Sequence, residues 1–148
     1  MKSVFIIAIV AIAMIGMMIP SAFAYTITDD ATGGDCSTIG TWDSASRTCT
    51  LSDDISEQIV IGANNIVLDG NGKTILGNPN QNYNEINYHD ANYYYCYDGE
   101  TAGIQLNAKT NIVIKNIVIK NWCHGILAQD SINNSLEIFL ILSLLSDQ

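Results

Sequence analysis

The stretch Ile59-Val-Ile-Gly-Ala-Asn-Asn65-Ile-Val-Leu-Asp69 recurs twice more, as Ile104-Gln-Leu-Asn-Ala-Lys-Thr-Asn111-Ile-Val-Ile-Lys115 and as Ile126-Leu-Ala-Gln-Asp-Ser-Ile-Asn-Asn134-Ser-Leu-Glu137. Each copy is an apolar burst, a short polar corner, an Asn and a second apolar burst. Asn111 and Asn134 stand 23 residues apart, a spacing that predicts one turn of a parallel β-solenoid. A unit this short cannot bury its own apolar face, so it must stack on copies of itself. Runs such as Ile112-Val-Ile114 and Ile117-Val-Ile119 are almost continuously β-branched, as parallel strands are. Strict alternation is absent because the strands are short and turn at corners. The chain therefore reads as all-β, with about three coils.

Working outward from the repeat, Asp69-Gly-Asn-Gly72 is a tight turn that demands positive φ, and Lys73-Thr-Ile-Leu76 a further strand. The β-helix domain is expected over 48–148. Residues 25–47, turn-rich and weakly periodic, are expected to cap its first coil, because an open solenoid end exposes backbone and apolar side chains. An insertion at 78–101 breaks the rhythm and holds six of the seven Tyr. After Asn134 the repeat fails, and the chain reads Leu136-Glu-Ile-Phe-Leu-Ile-Leu-Ser-Leu-Leu145. This predicts a C-terminal truncation of a longer repeat protein. The alternative is a terminal strand that associates with another copy through the edge of the last coil.

The first 24 residues read as a signal peptide. Lys2 supplies a positive charge, Val4 to Ile19 is an apolar run, and Ala22-Phe-Ala24 matches a signal-peptidase site, placing cleavage between Ala24 and Tyr25. The alternative is an uncleaved anchor, the one route to membrane contact. Removing the leader takes away Lys2 and leaves five basic against 15 acidic side chains, a net charge of −10. So acidic a chain is not expected to bind nucleic acid or anionic membranes. It fits a secreted or cell-surface protein kept soluble by charge repulsion. Four cysteines in an exported chain imply disulfides. Cys36 and Cys49 flank a small loop and form the natural first pair, which leaves Cys96 with Cys123; spacing alone leaves other pairings open.

Cys49-Thr-Leu51, Ile59-Val-Ile61 and Asn65-Ile-Val-Leu-Asp-Gly-Asn-Gly-Lys-Thr-Ile75 resemble the opening coils of right-handed parallel β-helix proteins, the pectin-lyase-like superfamily with its NosD-type and surface-protein repeats. Asn111-Ile-Val-Ile-Lys-Asn-Ile-Val-Ile119 and Gly125-Ile-Leu127 are similar to the same repeat. The resemblance covers roughly 48–77 and 102–136. It implies a short right-handed parallel β-helix, and it implies no single activity, because the superfamily holds lyases, hydrolases, epimerases, adhesins and passive repeats.

Catalysis is not expected within these residues. The only Arg, Arg47, lies in the cap, Lys115 and Lys120 fall at repeat corners, and Trp122-Cys-His-Gly125 offers a His-Gly without the paired acids that glycoside hydrolysis needs. The chain is thus read as non-catalytic, with a structural or a glycan- or protein-binding role. One alternative is the N-terminal fragment of a β-helix enzyme acting on polysaccharide; another is NosD-like copper handling. No cofactor is expected. Calcium at Asp69-Gly-Asn-Gly-Lys73 and copper at His89 and His124 are the weak candidates, the first explained better by turn chemistry, which needs no ion. Tyr83, Tyr88, Tyr93, Tyr94, Tyr95 and Tyr97, interleaved with Asn and Asp, are the contact candidates, since flat rings with polar edges stack on sugars and suit interfaces; the alternative is that the rings simply cover the side of the solenoid, anchored through Cys96. Polysaccharide or envelope components are the expected partners. Asn133-Asn-Ser135 matches the N-glycosylation acceptor pattern, and a corner Asn stacking in a ladder explains Asn133 equally well.

Overall fold

A computed structural model describes residues 24–77 and 102–137, together with the backbone of 83–88, 91–96 and 140–142. The leader over 1–23, His89 and Tyr97 lie outside the described residues. The chain is mostly β. It runs through β1 (Tyr25–Ile27), α1 (Cys36–Ile39), β2 (Gly40–Asp43), β3 (Thr48–Leu51), β4 (Ile59–Ile61), β5 (Val67–Asp69) and β6 (Thr74–Leu76). It continues through β7 (Tyr83–Tyr88), β8 (Ala91–Cys96), β9 (Ala102–Asn107), β10 (Val113–Lys115), β11 (Val118–Lys120), β12 (His124–Gln129), β13 (Ser135–Glu137) and β14 (Leu140–Leu142).

These strands pair mainly with strands a whole circuit away. The first sheet orders as β1-β4-β9-β12, the second as β13-β10-β5-β3-β2 and the third as β14-β11-β6. From β4 onward the chain visits first, second and third sheet in that order and then returns. Every pairing in these sheets is parallel except β2 with β3. Between the last two circuits the register is constant: Val113 faces Ser135 and Val118 faces Leu140, a return of 22 residues.

That return is one residue shorter than the spacing from Asn111 to Asn134. The corner partner of Asn111 is therefore Asn133. Asn65, Asn111 and Asn133 all hold positive φ, at 57°, 56° and 55°. Asn is among the few L-residues that adopt this conformation readily, which explains its recurrence. Asn133-Asn134 presents two candidate corner residues, and the strand register selects Asn133.

Residues 25–47 contribute strands to two of the sheets. β1 pairs parallel with β4, extending the first sheet, and β2 pairs antiparallel with β3, closing the edge of the second. Three- and four-residue strands are too short for periodicity to reveal.

The core is a set of inward stacks. Ile27, Ile61 and Leu106 share one level of the first sheet, Cys49, Leu68 and Ile114 one of the second, and Ile75 and Ile119 one of the third, all buried. Each such aliphatic side chain contributes about 1.5–3 kcal/mol by leaving water. In the last circuit Ala128 stands opposite Leu106 and Leu136 opposite Ile114, and Leu136 is 54% exposed.

Where the circuits crowd together, glycine is required. At Gly77 a β-carbon would lie 2.1 Å from the Asn121 carbonyl oxygen, which is fixed backbone. Gly77→Ala should therefore cost more than ~1 kcal/mol of unfolding free energy, read from the urea midpoint. An unchanged midpoint would contradict this packing.

Candidate functional site

The insertion between β6 and β9 carries the antiparallel hairpin β7–β8. Its register sets Tyr83 opposite Cys96, Asn84 opposite Tyr95, Glu85 opposite Tyr94, Ile86 opposite Tyr93, Asn87 opposite Asn92 and Tyr88 opposite Ala91. Directly opposed residues share a face, and faces alternate along each strand. The backbone thus assigns Tyr88, Tyr93, Tyr95 and Ile86 to one face. Tyr83, Tyr94, Glu85 and Cys96 fall on the other. Sequence reasoning pooled these tyrosines; the pairing register divides them.

The Cys36–Cys49 disulfide is formed, as spacing suggested. Both cysteines are fully buried, tying α1 to β3 beneath the N-terminal turns. Cys123 is disulfide-bonded as well. Of the chain's four cysteines this leaves Cys96 as the remaining one, on the hairpin face that also holds Tyr83 and Tyr94. A disulfide fits an oxidising environment. Among the described residues no helix is long and apolar enough to cross a membrane.

Tyr25, the residue after the expected cleavage point, is the first of β1, and its N–H donates to the Gln58 carbonyl at 2.8 Å. Cleavage after Ala24 would leave the first sheet whole. His124 opens β12 and is exposed. With Cys123 in a disulfide, no thiolate from that residue joins His124 as a copper ligand. Among the described residues no group of three or more His, Cys, Asp or Glu converges as a metal site would require.

At the candidate calcium loop, Asn71 and Gly72 take positive φ at 50° and 76°, and the Lys73 N–H donates to the Gly70 carbonyl at 2.8 Å, closing a two-residue turn. The Asp69 oxygens accept from the Asn71 N–H at 2.9 Å and from Asn116 Nδ2 at 3.1 Å, and pair with Lys115 Nζ at 3.3 Å. Burial pushes the Asp69 carboxyl up, but these hydrogen bonds and the Lys115 charge outweigh it and hold it below the usual carboxylate range. Lys115 and Lys120 close strands β10 and β11, so they stand on sheets and not in the corners expected for them. Asp69 and Lys115 occupy each other on the outer face of the second sheet. An ionised, paired carboxylate of this kind is a poor general acid at neutral pH.

Among the described residues, the most heavily bonded carboxylate is one the sequence reading did not single out. Asp30 accepts from the Gly34 N–H at 2.9 Å, the Thr28 hydroxyl at 2.8 Å, the Thr32 N–H at 2.9 Å and the Thr32 hydroxyl at 2.9 Å. The Gly34 bond first, then those from Thr28 and Thr32, drive its pKa far below the ordinary value. The sequence signal was Thr-x-Asp-x-Thr-x-Gly, an Asx-turn pattern. A depressed carboxyl contributes stability that is complete above the unfolded pKa of ~3.9 and vanishes as pH falls through the folded value. Asp30→Asn should therefore lower the melting temperature at pH 7, and the gap to the parent should narrow below pH ~4. A gap that widens on acidification would refute this sign.

Comparison with protein families, with curated proteins and with solved structures returns no match to this chain.

Proposed function

We propose that the chain is an exported right-handed parallel β-helix that acts without catalysis, presenting the β7–β8 hairpin to uncharged polysaccharide at the cell surface. The observation that carries the binding role is the pairing register, which gathers Tyr88, Tyr93 and Tyr95 with Ile86 on one hairpin face. Aromatic rings set side by side are the usual platform for the apolar faces of sugar rings. The β-helix reading draws support from the fixed order in which successive circuits visit the three sheets. Export draws support from the leader and the disulfide. The net charge, −10 once the leader is removed, favours an uncharged glycan, because a uronate polymer would be repelled.

Affinity electrophoresis through gels containing neutral or acidic polysaccharides tests the reading. Retardation is expected with a neutral polymer. Replacing both Tyr93 and Tyr95 with Ala should weaken it about tenfold or more, since each ring contact is worth about 1 kcal/mol. Replacing Tyr83 and Tyr94 on the opposite face should have a smaller effect. Equal losses from both faces, or no retardation by any neutral polymer, would sink it.

A further inference from the structure

The corner asparagines of successive circuits differ in one respect. Asn111 Nδ2 donates to Asn65 Oδ1 at 2.9 Å, so the first two are joined side chain to side chain. Asn133, the third member at φ 55°, is exposed and makes no side-chain hydrogen bond among the described residues. Its neighbour Asn134 is committed: its Oδ1 accepts the Ile112 N–H at 2.9 Å. Ser135 follows at the exposed start of β13, its N–H bonded to the Ile112 carbonyl at 2.8 Å and its side chain outward in solvent. Ile132 and Leu136, flanking this triplet, are 60% and 54% exposed.

We propose that Asn133 is an acceptor for an N-linked glycan, attached at a corner flanked by the exposed side chains of Ile132 and Leu136. The structure separates the two adjacent asparagines in the way this requires. Asn133 has a free, exposed carboxamide and a Ser two residues on, whereas Asn134 uses its side chain to hold the corner and is followed two residues on by Leu136. A glycan at Asn133 would displace no side-chain hydrogen bond among the described residues. In the transfer, Asn133 Nδ2 forms a bond to the anomeric carbon of a lipid-linked oligosaccharide diphosphate. The bond from that carbon to the diphosphate oxygen breaks, the lipid diphosphate leaves, and the amide gives up one proton. The inference rests on the export part of the proposed function.

The test is translation of the full chain with membranes that carry a translocation channel and lipid-linked oligosaccharide, reading mass in the protease-protected fraction. One glycan-sized increment is expected, removed by peptide N-glycosidase with Asp left at position 133. It should be lost in Asn133→Gln and Ser135→Ala and kept in Ser135→Thr. A protected chain of unmodified mass, or an increment that survives Asn133→Gln, overturns the proposal. A parallel chain bearing a leader of proven export keeps the acceptor question answerable if the native leader fails, and that failure would count against export instead. The readout is mass, so a variant that folds poorly is still informative.

Discussion

Cutting Ile114 back to Ala should remove about 2–5 kcal/mol of unfolding free energy. Ile114 is fully buried in the second sheet, in register with Leu68 on one side and Leu136 on the other. Its neighbours belong to other circuits, fixed by parallel pairing above and below, so they cannot easily collapse into the space left behind. The loss should include the transfer free energy and a cavity term. Leu136→Ala is the internal control. It removes a comparable side chain from the same ladder, but from a position already 54% exposed, so its cost should stay below about 1 kcal/mol. Urea unfolding followed by circular dichroism measures both. Equal midpoints for the two variants would mean that the inward ladder does not hold the circuits together.

Replacing Cys36 and Cys49 together with Ala should cost about 3 kcal/mol, chiefly by freeing the unfolded chain, since the bridge closes a loop between residues 13 apart. For a domain of this size the melting temperature should fall on the order of 10 °C. Both cysteines are fully buried, so a small-molecule reductant should reach the bridge only after the N-terminal turns open. Melting with and without reductant, compared with the double variant, checks the claim. Prompt reduction of the native protein without unfolding would contradict the burial.

Much of this was legible before any coordinates. The alternation of apolar bursts with Asn-bearing corners pointed to parallel strands, because runs such as Ile112-Val-Ile114 are almost continuously β-branched. The Cys36–Cys49 bridge was the natural first pair by loop length, but spacing left other pairings open and the fold closed this one. The Asp69-Gly-Asn-Gly72 turn followed from residue chemistry. What misled was local ambiguity. Asn133 and Asn134 are the same residue type, and nothing along the chain says which one turns left-handed. Tyr25-Thr-Ile27 looked irregular, although it adds a strand to the first sheet.

The sequence by itself determined the class of structure, the corner chemistry, the acidic surface and the choice of aromatic and glycan-acceptor candidates. Those properties depend on which residues are near one another along the chain. Tertiary structure alone decided the 22-residue register, the split of the tyrosines between two hairpin faces, the occupation of Asp69 by Lys115 and Asn116, and the freedom of Asn133 beside a committed Asn134. Each of these depends on a partner strand, most of them a full circuit away. A one-residue slip in pairing carries a side chain to the opposite face, and only the sum of all the stacked contacts selects the register.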